Sequence, residues 1–370
     1  MVKYIIKRLL LSLLILVGVS IIIYILIRLM PMDYIDTKFA SQLAQGTVSQ
    51  EDLDQIKKLY GLLVDYEKYA ADYGWAWDAA LSREDNIALL RDTGALTGGM
   101  DFWCNVRSYF EGYWGWLKNA LQGDLGQSFK FGDKVTTVIA QNMMISFWIS
   151  LVATVLQFLI AIPLGIQAAT HQYGALDYTV TVLAMMGISL PTFFLGALML
   201  SLFSLKLGWF PYQGLVDATK AGMPGYNAFF DKLHHLVLPI VTLVILSIGG
   251  LMRYTRTNML EVLNADYIRT ARAKGCSEKS VIYRHAFRNT LIPVVTMLAG
   301  ILPSLFSGAM ITEQVFSLPG IGNKAYQALT VGDVPFVMGY NMFLAILTVL
   351  GTLASDLMYA VVDPRVKITK

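Results

Sequence analysis

Four histidines, two cysteines and a basic stretch between Arg253 and Arg288 are the groups in this 370-residue chain whose types and spacing invite a chemical reading. His171, His234, His235 and His285 include no H-E-x-x-H pair, and there is no G-x-S-x-G elbow, so neither zinc-assisted nor serine-based hydrolysis finds a motif. None of the thirty glycines is followed by Lys, which excludes a G-x-x-x-x-G-K-[ST] phosphate loop. His234 and His235 are helical neighbours; their side chains diverge by about 100° and do not converge on one ion. They read as an interfacial pair opening an apolar run. Gly320-Ile321-Gly322 is a lone G-x-G and reads as a turn. The expectation is a non-catalytic chain with no metal or cofactor of its own.

The basic stretch suits recognition better than catalysis. It runs Asp266-Tyr267-Ile268-Arg269-Thr270-Ala271-Arg272-Ala273-Lys274-Gly275, then Cys276-Ser277-Glu278-Lys279, then Val281-Ile282-Tyr283-Arg284-His285-Ala286-Phe287-Arg288-Asn289 and Ile292-Pro293. This pattern predicts a short Ala-rich helix stopped by Gly275, followed by a second helix capped by Ser277. Small alanines beside the glycine let another protein approach closely, and the surrounding Arg and Lys can pair with its carboxylates. The alternative is a basic loop lying on anionic lipid.

The scaffold that holds this loop follows from composition. With 55% hydrophobic residues, 15% charged and a mean hydropathy of +0.54, the chain is not a soluble enzyme, a secreted disulfide scaffold or a disordered protein. Six uncharged stretches reach the length of about 18 residues that crosses a bilayer: Leu9–Ile27, Val135–Leu176, Tyr178–Leu205, Leu233–Met252, Asn289–Thr312 and Val334–Ser355. The 28-residue third stretch predicts a tilted helix. Eight basic residues lie between Arg253 and Arg288, and by the positive-inside rule they place that loop and both termini in the cytoplasm. On this topology Cys104 is outside and Cys276 inside, so they cannot pair. The first stretch follows a basic start but leads into Arg28-Leu29-Met30-Pro31 with no small-residue cleavage site, and reads as a retained anchor. Residues 1–30 are therefore an N-terminal transmembrane helix, 31–134 an extracytoplasmic segment, 135–362 a five-helix core with a cytoplasmic loop at about 260–290, and 363–370 a cytoplasmic tail. The segment from Asp33 to Lys134 is acidic and holds five of the seven tryptophans. Helical spacing of Leu53, Ile56, Tyr60 and Leu63 favours a small folded domain; amphipathic segments anchored at the outer interface are the alternative. A helix over Tyr113 to Val135 should end in the Gly123-Asp124-Leu125-Gly126 turn. Pro163, Pro191, Pro239, Pro293 and Pro303 interrupt or begin helices.

At the loop the sequence resembles a known family. Y-[IV]-R-T-A-R-A-K-G followed by R-H-x-x-[RK]-N-x-x-[IL]-P is similar to the EAA-type coupling loop of permease subunits in binding-protein-dependent ABC importers, in the dipeptide/oligopeptide/nickel branch. The likeness extends to Tyr4-Ile5-Ile6-Lys7-Arg8-Leu9-Leu10, Gly123-Asp124-Leu125-Gly126-Gln127-Ser128, Leu207-Gly208-Trp209-Phe210-Pro211, Glu313-Gln314-Val315-Phe316-Ser317-Leu318-Pro319-Gly320-Ile321-Gly322 and Asp363-Pro364-Arg365-Val366. Together these mark the B-type permease of the pair. Two departures stand out: Pro31-Met32-Asp33-Tyr34 replaces the usual P-G-D-P, and about 62–109 resembles an insertion.

The resemblance implies an all-α type I importer permease of six transmembrane helices in the bacterial or archaeal cytoplasmic membrane. It implies a homologous C-type permease, two ABC ATPase subunits that bind ATP and Mg, an extracytoplasmic solute-binding protein, the lipid bilayer and a di- or oligopeptide cargo as partners, and no nucleic acid. Nickel and short oligosaccharides are alternative cargoes. It assigns ATPase coupling to Ala271, Arg272, Ala273, Lys274, Gly275, Ser277 and His285, and an outer gate to Glu313 or Phe316. A secondary transporter or channel without an ATPase is the rival from another class; the absence of a mid-membrane carboxylate in the sequence weighs against it.

Overall fold

The computed structural model describes residues 2–28, 63–217, 219–220 and 226–362, together with the single positions 49, 54, 57 and 223. The Pro31–Tyr34 turn, the Leu53, Ile56 and Tyr60 positions and the tail from residue 363 lie outside the described residues. The chain forms two compact units, Leu13–Ile139 with Gln327–Phe343, and Met1–Ser12 with Ala140–Tyr326 and Leu344–Lys370.

Among the described residues the regular structure is helical, apart from an isolated bridge between Gln127 and Lys134. Helix α1 spans Val2–Arg28 and carries the apolar run Leu10–Leu26. Three short-loop helices follow, α2 (Tyr66–Tyr73), α3 (Arg83–Asp92) and α4 (Gly98–Leu121). Each begins at a residue whose side chain accepts a hydrogen bond from a first-turn amide: Asp65 from Lys68, Ser82 from Asp85, and Thr97 from Met100. Gly74 ends α2 in the left-handed conformation. Their inner faces make a small core of Tyr66, Tyr69, Leu90, Leu96 and Cys104. Helix α4 begins at Gly98, well before the expected Tyr113, because Thr97 supplies the cap. It ends at Leu121, and the turn at Gly123 and Gly126 uses positive φ at both glycines, as the sequence predicts.

The later apolar helices are α5 (Val135–Thr170), α6 (Ala175–Ser189), α7 (Thr192–Met199, continued by a π-helical stretch to Lys206), α8 (Ala228–Leu263), α10 (Phe287–Ser307) and α13 (Val334–Val362). By length and composition, α5, α8 and the Val334–Ala354 part of α13 can each cross a bilayer. The α6–α7 pair can do so as one broken span bent by 102°. This corrects the expectation of a single tilted helix over Tyr178–Leu205. Leu190 precedes Pro191 and takes an extended ψ of 131°, since the proline ring disfavours the helical conformation in the residue before it. Pro163 and Pro239, by contrast, lie inside continuous helices.

Helices α5, α6 and α8 approach each other through glycines. A methyl group at Gly165 would sit 2.8 Å from the Met252 carbonyl, at Gly187 2.7 Å from that of Ile245, and at Gly249 2.5 Å from that of Ala184. In lipid, where apolar burial drives no association, such close backbone packing is the chief attraction between helices.

Candidate functional site: a helix–glycine–helix loop

Helix α8 runs 36 residues, so it is about 54 Å long, and delivers the chain to the loop. There α9 (Asp266–Ala273) forms, Lys274 closes it, and Gly275 turns the chain with φ +78°. The Gly275 amide donates to the Arg272 carbonyl at 2.9 Å and the Cys276 amide to that of Ala271 at 3.2 Å. The Ser277 hydroxyl then accepts from the Ser280 amide at 3.4 Å. The expected short helix, glycine stop and serine cap are all present. The second helix differs: after Glu278–Ser280 it widens into π-helical turns over Val281–Ala286 before continuing as α10. Residues five apart lie about 140° apart on an α-helix. The wider turn lets both Val281 and Ala286 face inward, and both are fully buried.

The inner face of the loop packs on the chain itself. Ile268, Ala271, Val281 and Ala286 share a cluster with Met259 of α8 and with Ile166 and Ala169 of α5. Ala271 is thus buried, which corrects its expected place on the approach surface. Arg272, Ala273, Lys274, Gly275 and Ser277 are exposed, and His285 is half-buried. The Arg272 guanidinium reaches Glu278 through Nε at 2.9 Å and Nη2 at 3.3 Å, clamping the first loop helix to the second across the glycine. Asn289 of α10 donates through Nδ2 to the Tyr267 hydroxyl at 3.3 Å and to the His285 carbonyl at 2.9 Å. A methyl group on Gly275 would meet nothing within 4 Å, so the outer surface at this turn is open.

Two buried polar constellations escape a reading of the sequence by neighbours. The first pairs Asp177 at the start of α6 with Arg256 of α8 through two 2.7 Å hydrogen bonds, with the Tyr173 amide adding a third at 3.1 Å. Tyr173 takes a positive φ of 62° in the turn between α5 and α6. The only signal in the sequence was that Asp177 is the one charge separating two long apolar stretches. Asp177→Asn is expected to cost about 1.5–3 kcal/mol, the range for hydrogen bonds to charged groups. A thermal-shift measurement in detergent checks this; an unchanged midpoint would show the pair to be idle.

The second is built around Glu313 in α11 (Met310–Val315), which is 1% exposed. Ser146 donates to Oε1 at 2.6 Å, the Ala309 amide to Oε1 at 3.1 Å and the Asn323 amide to Oε2 at 2.8 Å. The Ile321 amide donates to the Ser146 hydroxyl at 2.8 Å. Ile321 and Asn323 belong to the first turn of α12 (Ile321–Val331), so the carboxylate sits where helix amides lack partners and the helix dipole is positive. Gly320-Ile321-Gly322 is therefore more than a turn: Cβ atoms at Gly320 and Gly322 would fall 2.4 and 2.9 Å from Glu313. Phe316 is buried in an apolar cluster with Ile149, Leu200, Leu238 and Leu318. Neither Glu313 nor Phe316 presents its side chain to an open passage in this conformation.

The histidine pair is accounted for by hydrogen bonds to backbone: His234 Nε2 to the Trp209 carbonyl at 2.9 Å and His235 Nδ1 to the Asp231 carbonyl at 2.8 Å. Among the described residues no three His, Cys, Asp or Glu side chains gather to hold a metal. Cys104 and Cys276 are free thiols, one buried and one half-buried.

Known proteins resemble this chain along its whole length. The chain is 33% identical to the oligopeptide transport system permease protein AppB of Bacillus subtilis (strain 168), over 99% of this chain and 100% of that protein. It is 40% identical over 252 residues to a putative peptide transport system permease protein of Brucella abortus (strain 2308), covering 68% of this chain and 78% of the relative. It is 34% identical over 256 residues to the dipeptide transport system permease protein DppB of Bacillus subtilis, covering 69% and 78%. A family model described as the binding-protein-dependent transport system inner membrane component matches residues 161–368, from within α5 through the loop to the tail. With its membrane helices, its helix–glycine–helix loop and a relative matched end to end, the chain belongs to the family of binding-protein-dependent transport system inner membrane components.

Proposed function

We propose that this chain is the permease subunit of an ATP-driven importer of di- or oligopeptides, and that it forms the translocation pathway with a homologous second permease. Two ATPase subunits bind ATP and Mg and supply the hydrolysis, and an extracytoplasmic solute-binding protein selects and delivers cargo. Both termini and the loop around Gly275 face the cytoplasm. The observation that carries this reading is the exposed turn at Ala273–Ser277, rigidly backed by buried Ile268, Ala271 and Val281, at the end of a 36-residue membrane helix. An ATPase pressing on such a turn moves α8 instead of deforming the loop, which is how a nucleotide-driven closure is transmitted as a rigid-body rotation of helices. The names of the relatives support peptide as the cargo class over nickel or oligosaccharide. Glu313 and Phe316 act by holding the segment after α10 in shape; their burial supports anchoring of an outer gate, with other residues lining it.

Uptake of radiolabelled di- to pentapeptides by a peptide-transport-deficient host expressing the complete system tests the reading. ATP-dependent accumulation that disappears when this chain is deleted is the expected result. Uptake driven by an ion gradient in the absence of the ATPases would replace the importer with a secondary carrier.

A further inference from the structure

Helix α4 carries an aromatic stripe that its own domain does not cover. Trp103, Val106, Phe110, Trp114 and Leu121 recur at three- and four-residue spacings, with a second turn between the last two, and so share one face, with Phe102 at its edge. Phe102, Trp103, Phe110 and Trp114 are 64, 63, 67 and 59% exposed. The flank of the same helix beside this stripe packs on the rest of the small domain. Cys104 is in the small core, Arg107 bonds Asp72 at 2.5 Å and Glu111 at 2.9 Å, and Glu111 bonds Lys68 at 2.8 Å. Asp101 takes hydrogen bonds from Tyr66 and from Arg91. Burial acts to raise the pKa of Glu111, but the Lys68 and Arg107 cations outweigh it and hold the carboxyl below its ordinary range, so the network stays charged. Asp101, Arg107 and Glu111 are thus drawn toward the small domain, and the cation of α4 beside the aromatic face is the exposed Lys118 in the last turn, four residues after Trp114, whose long stem lets its ammonium reach headgroups from an apolar surface.

The edge of the stripe touches α1. The Tyr113 hydroxyl hydrogen-bonds the buried Ser20 at 2.8 Å, and its ring meets Tyr24 edge-on with centroids 5.6 Å apart. Ser20 and Tyr24 lie eight and four residues before Arg28, or about 12 and 6 Å along the helix toward the membrane centre. Helix α4 therefore meets α1 below the level of its terminal arginine. There α1 itself exposes Val17, Ile21, Ile22 and Ile25. An apolar face continuous with the surface of a membrane helix, and rich in Trp and Phe, has the composition of interfacial elements that sink into the boundary between headgroups and acyl chains.

We propose that the aromatic face of α4 is embedded in the lipid leaflet surrounding the Arg28 end of α1, so that the small domain is held against the bilayer by α4. The occupant of the face is phospholipid, and a docked soluble protein is the competing outcome. The full chain, reconstituted in phosphatidylethanolamine/phosphatidylglycerol nanodiscs, is labelled with nitroxide at Phe110→Cys or Trp114→Cys, and at Asp92→Cys on α3 as a solvent control, in a Cys104→Ala, Cys276→Ala background. The labels on α4 should relax with oxygen and not with a water-soluble nickel chelate, while the control does the reverse. Chelate access at Phe110 and Trp114 equal to that at Asp92 would overturn the proposal. So would chelate access that disappears only on addition of the solute-binding protein, which would reassign the face to protein docking. A second measurement leaves the cysteines intact: acyl-brominated lipid should quench the tryptophan fluorescence of the chain, and Trp103→Tyr with Trp114→Tyr should remove a substantial part of the quenched component. An unchanged quenched component in that variant would likewise overturn the proposal.

Discussion

Replacing Gly320 with alanine is expected to prevent accumulation of folded protein in the membrane. The added methyl would lie 2.4 Å from the carboxyl carbon and Oε2 of Glu313 and 2.6 Å from the Ser146 hydroxyl, all held by hydrogen bonds and none at the free end of a flexible chain. Relief requires the carboxylate to leave its cage, which strands a buried charge together with the first-turn amides of α12. Losing the partners of a buried charge costs about 3–5 kcal/mol, a large share of the stability of a typical domain. Fluorescence-detected size exclusion after heating gives the comparison. Gly320→Ala should lose its monodisperse peak, and Glu313→Gln, which presents an amide donor to amide donors, should fall between it and the unaltered chain. A midpoint for Gly320→Ala within a degree of the parent would mean that the carboxylate is not held there.

The second large effect is at Gly275, and it is one of function. Its φ of +78° costs a residue with a β-carbon roughly 1–2 kcal/mol, but a side chain there meets nothing of this chain. Gly275→Asp should therefore insert and assemble with the second permease. Its bulk and charge would instead fall on the ATPase that the proposed importer presses against this turn. Cargo-stimulated hydrolysis in the reconstituted complex is expected to drop at least roughly tenfold, about 1.4 kcal/mol of coupling. Asn tolerates the left-handed conformation and lacks the charge, so Gly275→Asn separates shape from electrostatics. It should also be impaired if shape dominates. Wild-type turnover with both ATPases retained in Gly275→Asp would remove the coupling role from the loop.

The loop could be read in sequence because its structure is local. A glycine after an Ala-rich helix and a serine three residues before its amide partner act within one or two turns, and both took the expected form at Gly275 and Ser277. What could not be read depends on distance along the chain. Ser146 and Glu313 are 167 residues apart, and Asp177 and Arg256 are 79 apart; each pair is specified only by how the helices pack. Ala271 failed for a related reason, since alanine is equally at home on an approach surface and inside a tight core, and the choice was made by Ile166 and Met259 on other helices. Pro191 was visible, but whether a proline kinks a span or breaks it depends on its neighbours: Pro163 and Pro239 are absorbed into continuous helices, while at Leu190 the chain turns. The turn at Gly123–Gly126 was legible from its glycines, yet the exposed side of α4 needed the placement of α1 to acquire a meaning.

The glycine contacts at positions 165, 187 and 249 set the mechanical character of the core. Where helices meet through long side chains, rotamers can swivel and the joint behaves as a compliant bearing. At Gly187 and Gly249 the backbones of α6 and α8 approach each other's carbonyls too closely to admit a β-carbon, with the Ile188 side chain also against Gly249. The contact at Gly165 brings α5 against α8 in the same way. Any side chain larger than glycine at these three positions would wedge the helices apart, whereas the α6–α7 pair departs from straightness at Pro191, where it bends by 102°.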